Sequence, residues 1–380
     1  MKPRELLVVA GEASGDLHGA RLISELRQRM PGLRTFGLGG DEMREAGLEA
    51  MAHSSEISVV GITEVLKVLP RAREIFAGLL REVDRRRPEL ALLIDFPDFN
   101  LRLARKLKAR GVKVVYYISP QVWAWRRGRV KAIARLVDRM LVLFPFEVDF
   151  YRGHGVDVVH VGHPLVDEVP VMPQGWDEGG GPVAGPYRVA LLPGSRLSEV
   201  ESLLPTLLEA VRKLAARLPV EARIIKAPTI PRDLLEEHVE LSGLPVRIVA
   251  DDRFTAVASS HLALCASGTA TLEVGLLGTP MIMVYRLASW TYALAKLLVR
   301  LPNVSLVNLV SGRRVVPELI QGDANPERIA AEAARLLTDA VARNEMRAGL
   351  AELRGRLGAG GASGRAAAEV AAMLAEVARP

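Results

Sequence analysis

Short apolar runs alternate along this chain with longer stretches in which hydrophobic positions recur every three or four residues. In the first 170 residues the runs fall at 6–10, 34–37, 90–94, 112–118, 139–143 and 157–161. They are nearly continuous rather than alternating, the pattern of strands buried on both faces. The stretches between them, 101–110 included, read as amphipathic helices. Such alternation predicts a parallel sheet with helices on both sides.

Residues 170–187 (PVMPQGWDEGGGPVAGPY) break the rhythm with four prolines and a run of glycines. They cannot continue a helix or a central strand and read as a linker. Alternation restarts at Arg188, with further strands at 222–226, 246–250, 261–265 and 281–285. Ser198 and Glu201 have capping-box spacing. After them Val200, Leu203, Leu204, Leu207, Leu208, Val211 and Leu214 form one helical stripe. A helical pattern covers 326–357, glycines interrupt it at 358–364, and an Ala-rich helix starts at Arg365. That break is read as a hinge that returns the last helix to the first domain. The expected organisation is an α/β chain of two domains: 1–169 with 365–380, then 188–364.

Three strand ends share one design. LLVVAGEASGD (6–16), RVALLPGSRLSEVE (188–201) and LCASGTATLEVGLLGTP (264–280) each run from an apolar strand through small residues into a helix. A loop of that kind lets a ligand approach the backbone, and the first N–H groups of the helix are free to meet an anion. Finding the unit in both halves predicts two doubly wound, Rossmann-like domains facing each other across a cleft, an arrangement suited to nucleotide-linked substrates.

Composition narrows the function classes. The chain has 380 residues, 49% hydrophobic and 25% charged, as in a globular protein of more than one domain. Its single cysteine, Cys265, excludes a disulfide framework and lies in an apolar run as an inert thiol. The seven histidines lack ligand spacing and no D-x-D follows a strand, so no metal and no cofactor is expected. The run 6–10 is too short for a signal core, and no run reaches the ~18 apolar residues of a membrane span. A cytoplasmic protein is expected, touching a membrane only peripherally. The net charge of +6, from 50 basic and 44 acidic residues, suits an anionic membrane surface or a phosphorylated substrate. No nucleic-acid motif accompanies it.

Candidate chemistry follows the strand ends. GEASGD does not fit G-x-G-x-x-G, which lowers the case for a dinucleotide enzyme. It still places Gly11, Glu12, Ser14, Asp16 and His18 at a ligand edge. IDFPDFN (94–100) crowds Asp95, Asp98 and Asn100 after an apolar strand. Asp95 is the first polar residue there, a candidate general base. Asp98 or Asn100 suits the following helix cap better. SPQVWAWRR (119–127) sets Trp123 and Trp125 beside Arg126, a surface for a sugar or acyl chain unless the rings are core. Arg196 in PGSR suits a phosphate. Ser267, Gly268 and Thr269 offer donors to a diphosphate, and Glu273, one turn beyond Thr269, offers an acceptor to a ribose. Residues 64–80 and 290–301 are apolar and basic; they fit a membrane-facing surface or, as is commoner, helices facing the core.

Taken in order, GEASGD, IDFPDFN, SPQVWAWR, LFPFE (143–147), VGHPL (161–165), LPGSR, ASGTATLE and NVSLVNLVSGRRVVPELIQ (303–321) closely resemble the lipid-A-disaccharide synthase family over nearly the whole chain. The resemblance implies an inverting GT-B glycosyltransferase that joins UDP-2,3-diacylglucosamine to 2,3-diacylglucosamine 1-phosphate (lipid X). It would work without a metal at the inner face of the cytoplasmic membrane, with a homodimer left open. It also implies Arg196, Glu273, Asn308 and Gln321 as donor ligands, Ser267, Gly268 and Thr269 at the diphosphate, and Asp95 as base on the acceptor 6-hydroxyl. Glu12 or His18 would be the next candidate base. The segment 64–80 resembles the family's membrane-facing stretch, interrupted here by Lys67, Arg71 and Arg73. The competing readings are another UDP-sugar GT-B enzyme, of N-acetylglucosaminyltransferase or 2-epimerase type, and a non-catalytic nucleotide-sugar-binding module.

Overall fold

The computed structural model describes residues 4–57, 62–124, 127–172, 186–286 and 303–377, with 62–67 and 127 as backbone only. Trp125, Arg126, the stretch 290–301 and most of the linker at 170–187 lie outside the described residues. The chain divides into two compact units, Met1–Pro164 with Gly358–Pro380, and Leu165–Leu357.

Among the described residues the first unit holds seven strands: β1 (Glu5–Ala10), β2 (Arg34–Gly39), β3 (Leu48–His53), β4 (Leu90–Ile94), β5 (Lys113–Tyr117), β6 (Arg139–Val142) and β7 (Val158–His160). They pair in the order β3-β2-β1-β4-β5-β6-β7, every neighbour parallel. Its helices are α1 (Ala13–Arg29), α2 (Asp41–Glu45), α3 (Ile62–Arg86), α4 (Pro97–Lys108), α5 (Val130–Leu136) and α6 (Pro145–Arg152). Strand residues supply both sheet faces. Leu7, Val9, Ala91 and Leu93 pack under α3, α4 and α5. Leu6, Val8, Leu90 and Leu92 pack under α1. The edge strand β3 was not foreseen; its sequence LEAMAH has neither a continuous apolar run nor strict alternation.

The second unit begins with α7 (Leu165–Glu168). It continues through β8 (Tyr187–Leu192), α8 (Leu197–Ala215), β9 (Val220–Ile225), α9 (Arg232–Ser242), β10 (Arg247–Val249), α10 (Arg253–Ala258), β11 (Leu262–Ala266), α11 (Thr269–Leu276) and β12 (Met281–Tyr285). It closes with α12 (Leu306–Ser311), β13 (Glu318–Ile320), α13 (Pro326–Thr338) and α14 (Ala340–Arg356). Its six strands are parallel in the order β10-β9-β8-β11-β12-β13. Every residue of the stripe from Val200 to Leu214 is buried in α8. Arg354 of α14 donates to the carbonyls of Val166 (2.9 Å) and Val169 (3.0 Å), which fixes α7 to this unit.

Two helix boundaries differ from the sequence reading. The cap of α8 is not Ser198 with Glu201; the helix starts two residues earlier than that cap implies, with Arg196 at the N-cap, and Glu199 accepts the N–H groups of Ser195 (3.1 Å) and Arg196 (3.3 Å). The pattern at 326–357 is two helices, because the Asp339 carboxylate caps α14 through the N–H groups of Val341 (3.0 Å) and Ala342 (3.1 Å). The last helix, α15 (Ala362–Val377), starts before Arg365 and joins the first unit. Its Ala366, Ala367, Val370 and Leu374 share a core with Leu22, Ile23 and Leu26 of α1. Arg365 ties the approach to it, donating to the carbonyls of Val161 (2.8 Å), Ala359 (2.6 Å) and Gly360 (2.6 Å).

Asp16 shows how firmly the first loop is anchored. It is 5% exposed and accepts the N–H groups of Gly40 (2.6 Å), Glu42 (3.1 Å) and Met43 (3.2 Å), capping α2 from α1. Asp16→Ala leaves these donors buried without an acceptor, so it should cost about 1–3 kcal/mol in urea unfolding. A midpoint unchanged from wild type would remove Asp16 from the scaffold and return it to the ligand edge.

Candidate functional site

Both sheets reverse their strand order at one point, between β1 and β4 in the first unit and between β8 and β11 in the second. Ligands of open parallel sheets bind beyond the C-terminal ends of the strands at such points. GEASGD follows β1 and DFPDFN follows β4; PGSR follows β8 and SGTATLE follows β11. The four loops singled out in the sequence thus flank the two reversal points.

In the first unit Asp95 is the centre. It and Phe96 both stand in left-handed backbone, with φ of 45° and 49°. Left-handed backbone is rare for residues other than glycine, although Asp tolerates it better than most. Three contacts hold the turn. Asp95 N–H donates to the Tyr117 carbonyl (2.9 Å). The Asp95 carbonyl accepts the Tyr116 hydroxyl (2.5 Å) and the Asn100 side-chain amide (2.8 Å). That conformation lays the Phe96 ring against Gly11, where a Cβ would sit 2.3 Å from a ring carbon. Glycine at position 11 is thus a packing requirement. Burial, with the Glu12 carboxylate nearby, pushes the Asp95 carboxyl up to about 6.

The neighbouring candidates divide by role. Glu12 is exposed as the N-cap residue of α1, and Ser14 is exposed in its first turn. Asp98 and Asn100 do not cap α4, because that helix starts earlier, at Pro97, after the left-handed Phe96. Asp98 is exposed and pairs with Arg129 at 2.7 Å, while Asn100 is fully buried and spans the turn to the Ile94 and Asp95 carbonyls. Trp123 is a core residue, 6% exposed, with its ring edge-on to Phe146 and its N–H on Glu147 (3.1 Å). His18 is half-buried; burial, with His18 and His160 nearby, lowers His163 to about 3. From Val68 onward α3 turns its apolar side inward. Ile75, Leu79 and Val83 are core, Phe76 meets Phe99 edge-on, and Leu69 stays exposed.

In the second unit Gly268, two residues beyond β11 and with φ of 138°, is the N-cap residue of α11 in a conformation other residues rarely adopt, with no side-chain cap. Ser267, Ala266, Tyr285, Arg286, Glu199, Ser202 and Leu203 line a small cavity beside that turn. Thr269 is exposed at the first position of α11. Glu273 faces Arg253 at 3.5 Å, and burial raises its carboxyl against the pull of that guanidinium. Arg196 is 69% exposed and reaches Glu199 at 2.7 Å. Gln321 directly follows β13 in left-handed backbone. Asn308 is different: fully buried, its oxygen accepts the N–H groups of Val315 (2.7 Å) and Val316 (2.9 Å). Its amide donates to the Val316 carbonyl (2.9 Å) and to Glu318 (2.8 Å), so all its polar capacity is spent inside the protein. Cys265 is buried, and burial raises its thiol.

Sequence reasoning missed Arg253, Tyr285 and Arg286 at this edge and the buried Glu147 in the first unit. Glu147 lay in the quoted LFPFE run; a Glu at the third position of a helix opened by Pro145 was the available signal. Among the described residues no group of His, Cys, Asp and Glu is placed to hold a metal, and no helix is long and apolar enough to cross a membrane.

Comparison with known proteins adds to this geometry. The sequence profile of the family described as Lipid-A-disaccharide synthetase matches residues 6–359. A lipid-A-disaccharide synthase of Myxococcus xanthus (strain DK1622) is 48% identical over 375 residues, 98% of each chain. Among solved structures, a putative UDP-N-acetylglucosamine 2-epimerase from Listeria monocytogenes superposes with a TM-score of 0.65 at 14% identity, covering 100% of this chain and 99% of that one. The calicheamicin glycosyltransferase CalG4 does so with a TM-score of 0.59 at 18% identity, covering 100% of both. The fold is the two-domain α/β architecture of GT-B glycosyltransferases and epimerases.

The Asp95 environment has a consequence for stability. A carboxyl raised on folding from 3.8 to about 6 binds its proton more tightly in the native state, so the native state loses stability as pH rises through that window. Asp95→Asn removes the ionisation and keeps the left-handed turn. The variant should be more stable than wild type at pH 8, by up to about 3 kcal/mol, with the gain fading below about pH 4. Urea midpoints at the two pH values measure it; equal stability at pH 8 would mean that the carboxylate is well solvated.

Proposed function

The chain belongs to the lipid-A-disaccharide synthetase family, and from that membership we propose that it joins UDP-2,3-diacylglucosamine to 2,3-diacylglucosamine 1-phosphate, releasing UDP and forming a β-1,6-linked disaccharide. Glycosyl transfer in lipid A biosynthesis is the activity of the family; the two substrates and the inversion are our reading. The observation that carries it is the matched pair of reversal points, one presenting a partly buried carboxylate and the other a small-residue helix start among arginines.

In this reading the second unit holds the donor. Ser267, Gly268 and Thr269 supply donors to the diphosphate, Arg196 adds charge, Glu273 accepts the ribose hydroxyls and Gln321 completes the rim. Asn308 keeps the 315–318 segment in place and does not touch ligand. The first unit holds the acceptor. Its 6-hydroxyl oxygen attacks the anomeric carbon from the face opposite UDP. The bond from that carbon to the diphosphate oxygen breaks, its electron pair leaves with UDP, and the hydroxyl proton passes to Asp95. The helix start and arginines stabilise the charge that develops on the diphosphate, without a metal. Acylated substrates place the enzyme peripherally at the inner face of the cytoplasmic membrane.

Mixing purified protein with UDP-2,3-diacylglucosamine and lipid X should release UDP and yield the disaccharide in the presence of EDTA. Turnover only with an unacylated acceptor would reject the substrate assignment, and no turnover with either would favour a binding module. As a base, Asp95 must be ionised, so kcat/KM should rise with pH through about 6. Asp95→Asn should lower kcat by roughly 10²–10⁴-fold while UDP still binds. Near-normal turnover in that variant would move the base to Glu12 or His18.

Glu273→Ala should weaken UDP binding by about 1.5–3 kcal/mol, the worth of a charged hydrogen bond. Calorimetry with UDP reads this directly, and an unchanged affinity would remove Glu273 from the ribose.

A further inference from the structure

The LFPFE run, which the reaction above does not use, places a buried acid next to the acceptor edge. Glu147 is 2% exposed at the third position of α6. One of its oxygens accepts the Ser119 hydroxyl and the Trp123 indole N–H (3.1 Å), and the other accepts the N–H of Phe144 (3.1 Å). Ser119 and Trp123 bracket the start of the segment between β5 and α5. That segment leaves β5 through Ile118, in left-handed backbone with φ of 64°. Immediately before it stand Tyr116 and Tyr117, whose hydroxyl and carbonyl hold the Asp95 turn. A path therefore runs from the Glu147 carboxylate to Ser119 and Trp123, along the chain to Tyr117 and Tyr116, and from these to the backbone of Asp95. Tyr151, on the same helix as Glu147, adds a second tie to this segment, its hydroxyl donating to the Pro120 carbonyl (3.2 Å).

We propose that Glu147 is a positioning residue: by gathering Ser119 and Trp123 on one carboxylate it fixes the 119–123 segment and, through it, the Asp95 turn that meets the acceptor. The carboxylate serves three donors, the Phe144 N–H at the start of α6 and the side chains of Ser119 and Trp123, and it does so at the cost of burying a charge. Burial does act on the group, pushing its carboxyl up to about 7 against the bonds from Ser119, Phe144 and Trp123. The four rings beside it form a stack that leads back to the strand ends: Trp123 edge-on to Phe146, Phe146 parallel to Phe144 at 5.4 Å, and Phe144 against His163. Phe144 and Phe146 are half-buried, so a shift of the segment would reach the surface beside them.

The proposal rests on the assignment of the acceptor to the first unit. Its test is steady-state kinetics with both substrates on Glu147→Gln, Glu147→Ala and Ser119→Ala, each normalised to folded protein by circular dichroism. Glu147→Gln keeps an oxygen for Ser119 and Trp123, whereas Glu147→Ala leaves both donors unpaired. The expected result is a lowered kcat/KM for the acceptor, roughly tenfold or more in Glu147→Ala and less in Glu147→Gln, with the donor KM unchanged in both. Ser119→Ala, which removes one tie, should fall between wild type and Glu147→Ala. A purely structural role predicts less folded protein but wild-type constants for what remains, and that outcome overturns the proposal. So does an equal rise in donor and acceptor KM. Failure of the proposed reaction itself is distinguishable, since wild type would then give no disaccharide, whereas variants that lose kcat/KM for the donor and not for the acceptor would overturn the proposal.

Discussion

A parallel sheet leaves room for a ligand where neighbouring strands send their crossovers to opposite faces, because the chain then parts instead of closing over the strand ends. In the first unit β1 leads into α1, whose Leu22, Ile23 and Leu26 belong to one core, and β4 leads into α4, whose Leu103 and Leu107 belong to the other. Ala10 and Ile94 are paired neighbours in the sheet, yet the residues that follow them diverge. The second unit repeats the event with α8 and α11, which pack on different partners, α8 on α13 and α11 on α12 and α14. All the chemistry assigned to the chain depends on these two partings. They place the short polar loops side by side although more than 70 residues of sequence separate them.

Much of this was legible before any coordinates because continuous apolar runs report strands buried on both faces. Leu90–Ile94 and Met281–Tyr285 were read to the residue. The misses have physical causes. β3 and β13 lie at sheet edges, where a strand buries less and its pattern weakens. The cap of α8 fell on Glu199 because a cap is fixed by backbone geometry, and acids two positions apart look alike in sequence; the break before α14 went unread because Asp339 sits inside an otherwise continuous helical pattern. Among candidate site residues, Asp95 stood out as the first polar position after an apolar strand. Asn308 was not recognisable as structural, since only coordinates show that its four hydrogen-bonding capacities are met internally. Asp16 misled for the same reason: a polar residue at a ligand edge and a buried cap for a distant helix have the same sequence signature.

The Asp95 turn is where the first unit's candidate site departs from relaxed backbone. Two consecutive left-handed residues each carry a conformational cost, and such strain persists only where surroundings over-determine it. Here the surroundings are specific: the Tyr116 hydroxyl, the Asn100 amide and the Tyr117 carbonyl fix the backbone, and Gly11 makes space for the displaced Phe96 ring. A regular exit from β4 would have spared the strain. The turn obtained instead leaves the carboxylate where burial and Glu12 raise its affinity for a proton.

That environment also explains why the two reversal points differ in charge. A base must hold its proton well enough to draw it from a sugar hydroxyl, and an adjacent cation would weaken that hold. A departing diphosphate needs the reverse, with cations and N–H groups around it. One pocket cannot serve both needs at close range, since the arginines that favour the leaving group would pair with the carboxylate. In this chain Glu12 is the charge that acts on Asp95, whereas Arg196, Arg253 and Arg286 belong to the edge of the other unit. With these groups on separate sheets, the Asp95 carboxylate and the three guanidiniums keep the different environments that the proposed transfer would ask of them.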